Sequence, residues 1–119
     1  MEERRKHKRY PIALLAQYQK DREQGLCALV DVNQEGTRIK FHSDQAWDVD
    51  TPVLLEINFP ARPEPIAALF TLKWVQELAG EKTFNFIAGG MLKLKKSADN
   101  KIFENYLATI YKAVYPDEE

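Results

Sequence analysis

Apolar and polar positions alternate along most of this 119-residue chain, and the period changes only near its end. Val53, Leu55, Ile57 and Phe59 fall on one side of a two-residue repeat, with Leu54, Glu56 and Asn58 on the other. That is the signature of a half-buried strand. Thr37 to Phe41 repeats it, with Ile39 and Phe41 against Arg38 and Lys40. Leu26–Val32, Ile66–Leu78 and Thr83–Leu94 are apolar runs of strand length, and Gly89-Gly90 is expected to bulge or bend the last of them. Ile12–Tyr18 reads as a strand or a short helix, because Pro11 also suits a first helical turn. The intervening stretches carry turn or loop chemistry: Gln19–Gly25, Asp31–Gly36, the polar His42–Thr51 closed by Pro52, the Pro60, Pro63 and Pro65 loop, and Ala79–Lys82.

Past Lys96 the repeat lengthens. Ile102, Phe103, Tyr106, Leu107, Ile110 and Val114 recur at three- and four-residue steps, one face of an amphipathic helix. Ser97 or Asp99 can cap its start and Pro116 stops it. Its apolar face needs a cover, which is either the sheet or a second copy of the chain in a homodimer. Around six short strands and one terminal helix predict a mainly β protein, a small antiparallel barrel with a helical lid. The boundaries fall at a basic N-terminal segment (1–11), the barrel (12–96) and the helix (97–116).

Charge adds one feature to this outline. The formal net charge is only −1, but the first ten residues carry +3, which leaves −4 for the rest. The excess comes from Arg4-Arg5-Lys6-His7-Lys8-Arg9, directly ahead of the first strand. A local anion site fits this asymmetry better than a DNA-binding surface, which would be basic throughout. A solvated basic tail is the plain alternative. Guanidinium groups match phosphate oxygens and the O6/N7 edge of guanine, so the arginines have chemistry to offer.

A second feature is Asp31-x-Asn33-x-x-Gly36. Alone it is an Asx-type turn. Its Asp and Asn share one side of an extended segment, where a carboxylate accepts from guanine N1–H and N2–H₂ and the amide offers both a donor and an acceptor. Catalysis finds little to work with. His7 and His42 have no metal-ligand spacing with the single Cys27, which reads as a buried inert thiol. No Gly-rich phosphate loop, nucleophile elbow or HExxH helix is present, so neither an enzyme, a metal site nor a cofactor is expected. No apolar run reaches the roughly 20 residues of a membrane span, and no signal peptide opens the chain, so the cytoplasm is the expected compartment.

Taken together, Arg5-x-x-x-Arg9 ahead of a strand and Asp31-x-Asn33-x-x-Gly36 about twenty residues later resemble the PilZ domain family. That family carries an RxxxR motif and a downstream [D/N]xSxxG motif on a six-stranded barrel with a C-terminal helix. Arg4-Arg5 matches its common doubled arginine, and Gly90-Met91-Leu92-Lys93-Leu94 resembles its last strand. The family's serine is Asn33 here. The resemblance implies binding of the bacterial second messenger cyclic di-GMP as a ligand. Arg5 and Arg9, assisted by Arg4, would grip phosphate and guanine edges; Asp31 and Asn33 would read a guanine; the turn at Gly36 would let the backbone come close. It also implies that Trp74 lies against a guanine, with core packing as the competing role. Ligand would draw the arginine segment onto the barrel and signal to an unidentified downstream protein.

Two other readings belong to different classes. One is a degenerate PilZ-like protein-interaction module without nucleotide, for which Asn33 is the argument. The other is a small barrel binding single-stranded nucleic acid, with the arginines as a basic arm and Trp47 and Trp74 stacking bases. Trp47 otherwise anchors one barrel end, and Arg38 either extends the basic patch or sits on a solvated strand face.

Overall fold

Backbone pairing turns the alternating runs into strands, and closure of the sheet decides which side of each run becomes interior. A computed structural model of the chain describes residues 10–32, 36–59 and 62–114. Six strands, β1 (Tyr10–Lys20), β2 (Glu23–Val32), β3 (Thr37–Phe41), β4 (Pro52–Ile57), β5 (Ile66–Glu77) and β6 (Phe86–Leu94), precede one helix, α1 (Ala98–Val114). The strands close in the order β1-β2-β3-β6-β5-β4, all neighbours antiparallel. Among the described residues, closure leaves no unpaired sheet edge for another chain to extend. None of the described residues forms a helix long and apolar enough to cross a membrane.

The predicted alternation fills the barrel. Ile39 and Phe41 of β3, Val53, Leu55 and Ile57 of β4, and Ile66, Ala68, Phe70 and Leu72 of β5 are all fully enclosed. Cys27 is buried among them, and burial pushes its thiol up to about 12, which keeps it protonated and unreactive. Ile12–Tyr18 is strand throughout, inside the longer β1. The Gln19–Gly25 stretch, expected to be a turn, is mostly strand as well. Lys20 pairs with Glu23, so the turn shrinks to Asp21 and Arg22, with Asp21 at φ 54°. Backbone pairing takes no account of side-chain polarity on a solvent-facing stretch, and a short polar side chain tolerates the left-handed turn position.

Gly89 and Gly90 do mark a bulge, but the extra residue belongs to their partner strand. Leu72 pairs with Gly90 and Trp74 with Gly89, which leaves Lys73 of β5 over. The glycines are required because β5 comes so close: a Cβ on Gly90 would stand 2.2 Å from the carbonyl oxygen of Thr71. Two further irregularities occur on β1, between Pro11 and Leu14, and on β2, between Leu29 and Asp31.

The helix covers the barrel. Phe103 is buried, Ile102, Tyr106 and Leu107 pack on the core, and Phe59 meets the rings of Phe103 and Tyr106 edge-on at 5.7 and 5.0 Å. Ser97 stands at the capping position and its carbonyl accepts from Asn100 N–H. Asp99, the other candidate cap, lies in the first turn, where its charge suits the helix dipole. Pro116, expected to stop the helix, lies outside the described residues.

Candidate functional site

One strand pair links described residues that adjoin the two sequence motifs. The chain enters β1 at Tyr10, directly after Arg9, and leaves β2 at Val32, directly before Asn33; Tyr10 and Val32 are paired. Arg4, Arg5, Arg9 and Asn33 themselves lie outside the described residues, as does His7.

From that pair a row of residues runs across five strands in register. Pro11 of β1 pairs with Asp31 of β2, Asp31 with Arg38 of β3, Arg38 with Gly89 of β6, and Gly89 with Trp74 of β5. Three strand spacings of about 4.8 Å separate the backbones of Asp31 and Trp74 around the wall, on the order of 14 Å. Three of the predicted site residues are therefore described, and they sit on or beside this row.

Asp31 and Trp74 owe their orientation to irregularities. Strict alternation from the buried Leu29 would turn Asp31 inward, but β2 spends an extra residue against β3 at this point. Asp31 thereby turns its carboxylate to Arg38 on the outer side of the wall while staying largely buried, and Val32 is buried in the core. Likewise, alternation from the buried Leu72 would bury Trp74, and the bulge at Lys73 turns it out. Trp74 is 41% exposed, which removes the core-packing alternative, and its indole lies across Gly89, where a Cβ would stand 2.3 Å from Nε1. Gly36 is needed for close approach: a Cβ there would stand 2.2 Å from the carbonyl oxygen of Gly90.

Arg38 proves to be more than a solvated strand residue. Its Nε donates to Asp31 Oδ2 at 2.8 Å and its Nη2 lies 2.5 Å from the same oxygen. The Thr37 hydroxyl donates to the backbone carbonyl of Asp31. The sequence holds a signal for the ion pair, opposite charges flanking a turn, but only register shows that they face each other.

A different cluster closes the barrel where the β1–β2 hairpin meets the end of β3. Trp47 is buried, stacks on Phe41 at 3.7 Å, and donates from Nε1 to Glu23 Oε1 at 3.2 Å. The Tyr18 hydroxyl lies 3.2 Å from Glu23 Oε2 and 2.9 Å from the His42 carbonyl oxygen. Burial, reinforced by the Glu23 charge, raises the Tyr18 pKa. For Glu23 burial acts upward, but hydrogen bonds from Ser43, Trp47 and Tyr18, with the Lys20 charge, outweigh it and hold the carboxyl below its ordinary 4.5. The expectation that Trp47 anchors a barrel end matches this geometry, which leaves no face of the ring for a base.

A groove of about 660 Å³ lies between α1 and β6, lined by Val32, Leu92, Leu94, Phe103 and Leu107 with Lys93 and Lys95. Ser97, Asn100 and Glu104 add polar groups to this lining, but none of the predicted site residues lines the groove. The outer row holds a carboxylate, a guanidinium and an indole side by side.

Comparison with known proteins places this arrangement in context. A family model described as the PilZ domain matches residues 3–94, a span that includes both motifs. No curated protein matches the chain. The fold is similar to the Bacillus subtilis inhibitor of motility MotI/DgrA (13% identity, 98% of this chain and 54% of that one, TM-score 0.69). It is also similar to K. pneumoniae MrkH, solved as a complex with c-di-GMP (13% identity, 98% and 56%, TM-score 0.71). The PilZ domain of YcgR from Escherichia coli, solved with c-di-GMP, is matched over 96% of both chains at 11% identity and TM-score 0.62. The chain spans little more than half the length of the MotI and MrkH chains.

Proposed function

This chain belongs to the PilZ domain family, and from that membership we propose that it is a receptor for cyclic di-GMP. Two of the structurally similar proteins were solved with this ligand. The observation that supports the reading is the pairing of Tyr10 with Val32, the residues that directly follow Arg9 and directly precede Asn33 in the sequence. The ligand carries two phosphates and two guanines, so it needs both anion neutralisation and base-edge reading. Arg5 and Arg9, with Arg4, supply the first. Asp31 and Asn33 accept and donate at a guanine edge, Gly36 admits the backbone, and Trp74 offers a half-exposed indole face for stacking. Asn33 in place of serine keeps hydrogen-bonding capacity without a hydroxyl.

The role is one of binding. Ligand draws the arginine segment onto the barrel and so presents a new surface to a downstream protein. Ordering that segment costs conformational entropy and lowers net affinity accordingly.

Calorimetric titration of the purified chain with cyclic di-GMP tests the reading, with GTP as control and Arg9→Ala alongside. Saturable binding that GTP does not reproduce and Arg9→Ala abolishes is the expected result, and it gives the stoichiometry. No heat at high micromolar ligand would overturn the receptor reading in favour of a nucleotide-free interaction module. The switch has its own check: proteolysis within Arg4–Arg9 should slow when ligand is present, and an unchanged rate would refute it.

A further inference from the structure

Arg38 sits in the row between Asp31 and Gly89, with Trp74 one strand further on. We infer that Arg38 is a positioning residue for ligand recognition: by gripping Asp31 Oδ2 it fixes the carboxylate and so sets the site's preference for guanine over adenine. The inference rests on the receptor reading above and adds to it a residue outside both sequence motifs.

The geometry supports a fixing role. Anchoring Oδ2 leaves the carboxylate little freedom to turn about its Cβ–Cγ bond. Here Nε and Nη2 of one rigid, planar guanidinium converge on one oxygen, at 2.8 and 2.5 Å. The backbone of the same residue is held by the Thr37 hydroxyl at its carbonyl oxygen. Asp31 is thus restrained at both main chain and side chain by consecutive residues of β3.

The environment makes the restraint count. The Asp31 side chain is 10% exposed and that of Arg38 39%, so the carboxylate is shielded while the guanidinium reaches solvent. An exposed ion pair would contribute little, and breaking one with a buried partner costs more. Because Asp31 and Arg38 are register partners, the sheet already brings the two together before their side chains meet.

The consequence for specificity follows from base chemistry. Guanine offers N1–H and N2–H₂ donors where adenine offers an acceptor at N1 and no exocyclic donor at C2. A carboxylate fixed in place therefore accepts from guanine and repels adenine's lone pair. A mobile one can swing aside or hold a water, and discriminates less.

The test measures affinities for cyclic di-GMP and cyclic di-AMP in the wild-type chain, Arg38→Ala, Arg38→Lys, Asp31→Asn, and Arg38→Ala combined with Asp31→Asn. Arg38→Ala should weaken cyclic di-GMP binding about ten-fold, narrow the ratio between the two dinucleotides, and leave a cooperative thermal transition. Lysine keeps the charge without the two-nitrogen grip, so Arg38→Lys should keep the narrowed ratio. In the Asp31→Asn background the arginine substitution should cost nothing further. Equal proportional loss for both dinucleotides, full rescue by lysine, or the same loss without the Asp31 carboxylate would each overturn the inference and leave the receptor reading intact. A wild-type chain that binds no cyclic di-GMP would overturn both.

Discussion

Trp47 is 3% exposed, stacks on Phe41 and donates its indole N–H to Glu23, whereas Trp74 is 41% exposed and lies across Gly89 on the outer wall. The same side chain closes the core in one region and faces solvent in the other. Residue type does not separate them. Around Trp47 the sheet is regular: β3 alternates without a break and delivers Phe41 to the interior at its end, where the following loop folds a ring onto it. Around Trp74 the sheet is irregular, and the bulge at Lys73 reverses which way the strand faces. The regular region builds stability, and the irregular one displays chemistry. Bulges cost pairing, and they gather on the row that carries Asp31, Arg38 and Trp74, the row on which the proposed receptor reading draws.

The contrast can be broken most forcefully at Trp47. Trp47→Ala empties a well-packed site and leaves Glu23 short of a donor, and should cost about 3–5 kcal/mol in chemical denaturation. A loss below about 1 kcal/mol would remove the case that this end is a structural plug. Gly36→Ala comes next. Its Cβ would collide with a backbone oxygen at 2.2 Å, so neighbouring strands must shift, at about 1–3 kcal/mol by the same measurement.

Acid titration addresses the Glu23 cluster. The folded carboxyl lies below its ordinary 4.5, so it contributes stability that is complete above that value and lost as pH falls through the lower, folded one. Melting temperatures of wild type and Glu23→Gln should therefore converge as pH drops below about 4.5. Parallel curves would show that the carboxylate adds nothing.

Trp74→Ala should move stability least, within about 0.5 kcal/mol, because little of its packing belongs to the core. On the receptor reading it lowers cyclic di-GMP affinity by on the order of ten-fold or more through lost stacking. A variant that unfolds readily, or that binds as well as wild type, would dissolve the distinction between the two tryptophans.

Much of the fold was legible from periodicity. β3 has the predicted bounds, the inward residues of β4 are those its alternation assigns, and Phe103 of the helical stripe is buried on the barrel. The candidate site was read as two motifs, yet alternation alone would have pointed Asp31 and Trp74 inward. The ion pair between Asp31 and Arg38 also escaped, since it depends on register across a turn.

The sequence by itself determined the elements and the chemical inventory: six apolar-patterned strands, an amphipathic helix, an arginine run and an Asp-x-Asn-x-x-Gly turn. Those are local properties, set by side-chain spacing and backbone preference. Only the tertiary structure decided which way the key residues face. Facing depends on how many residues each strand spends against its neighbour, and that count is set by closing six strands into one barrel around a packed core.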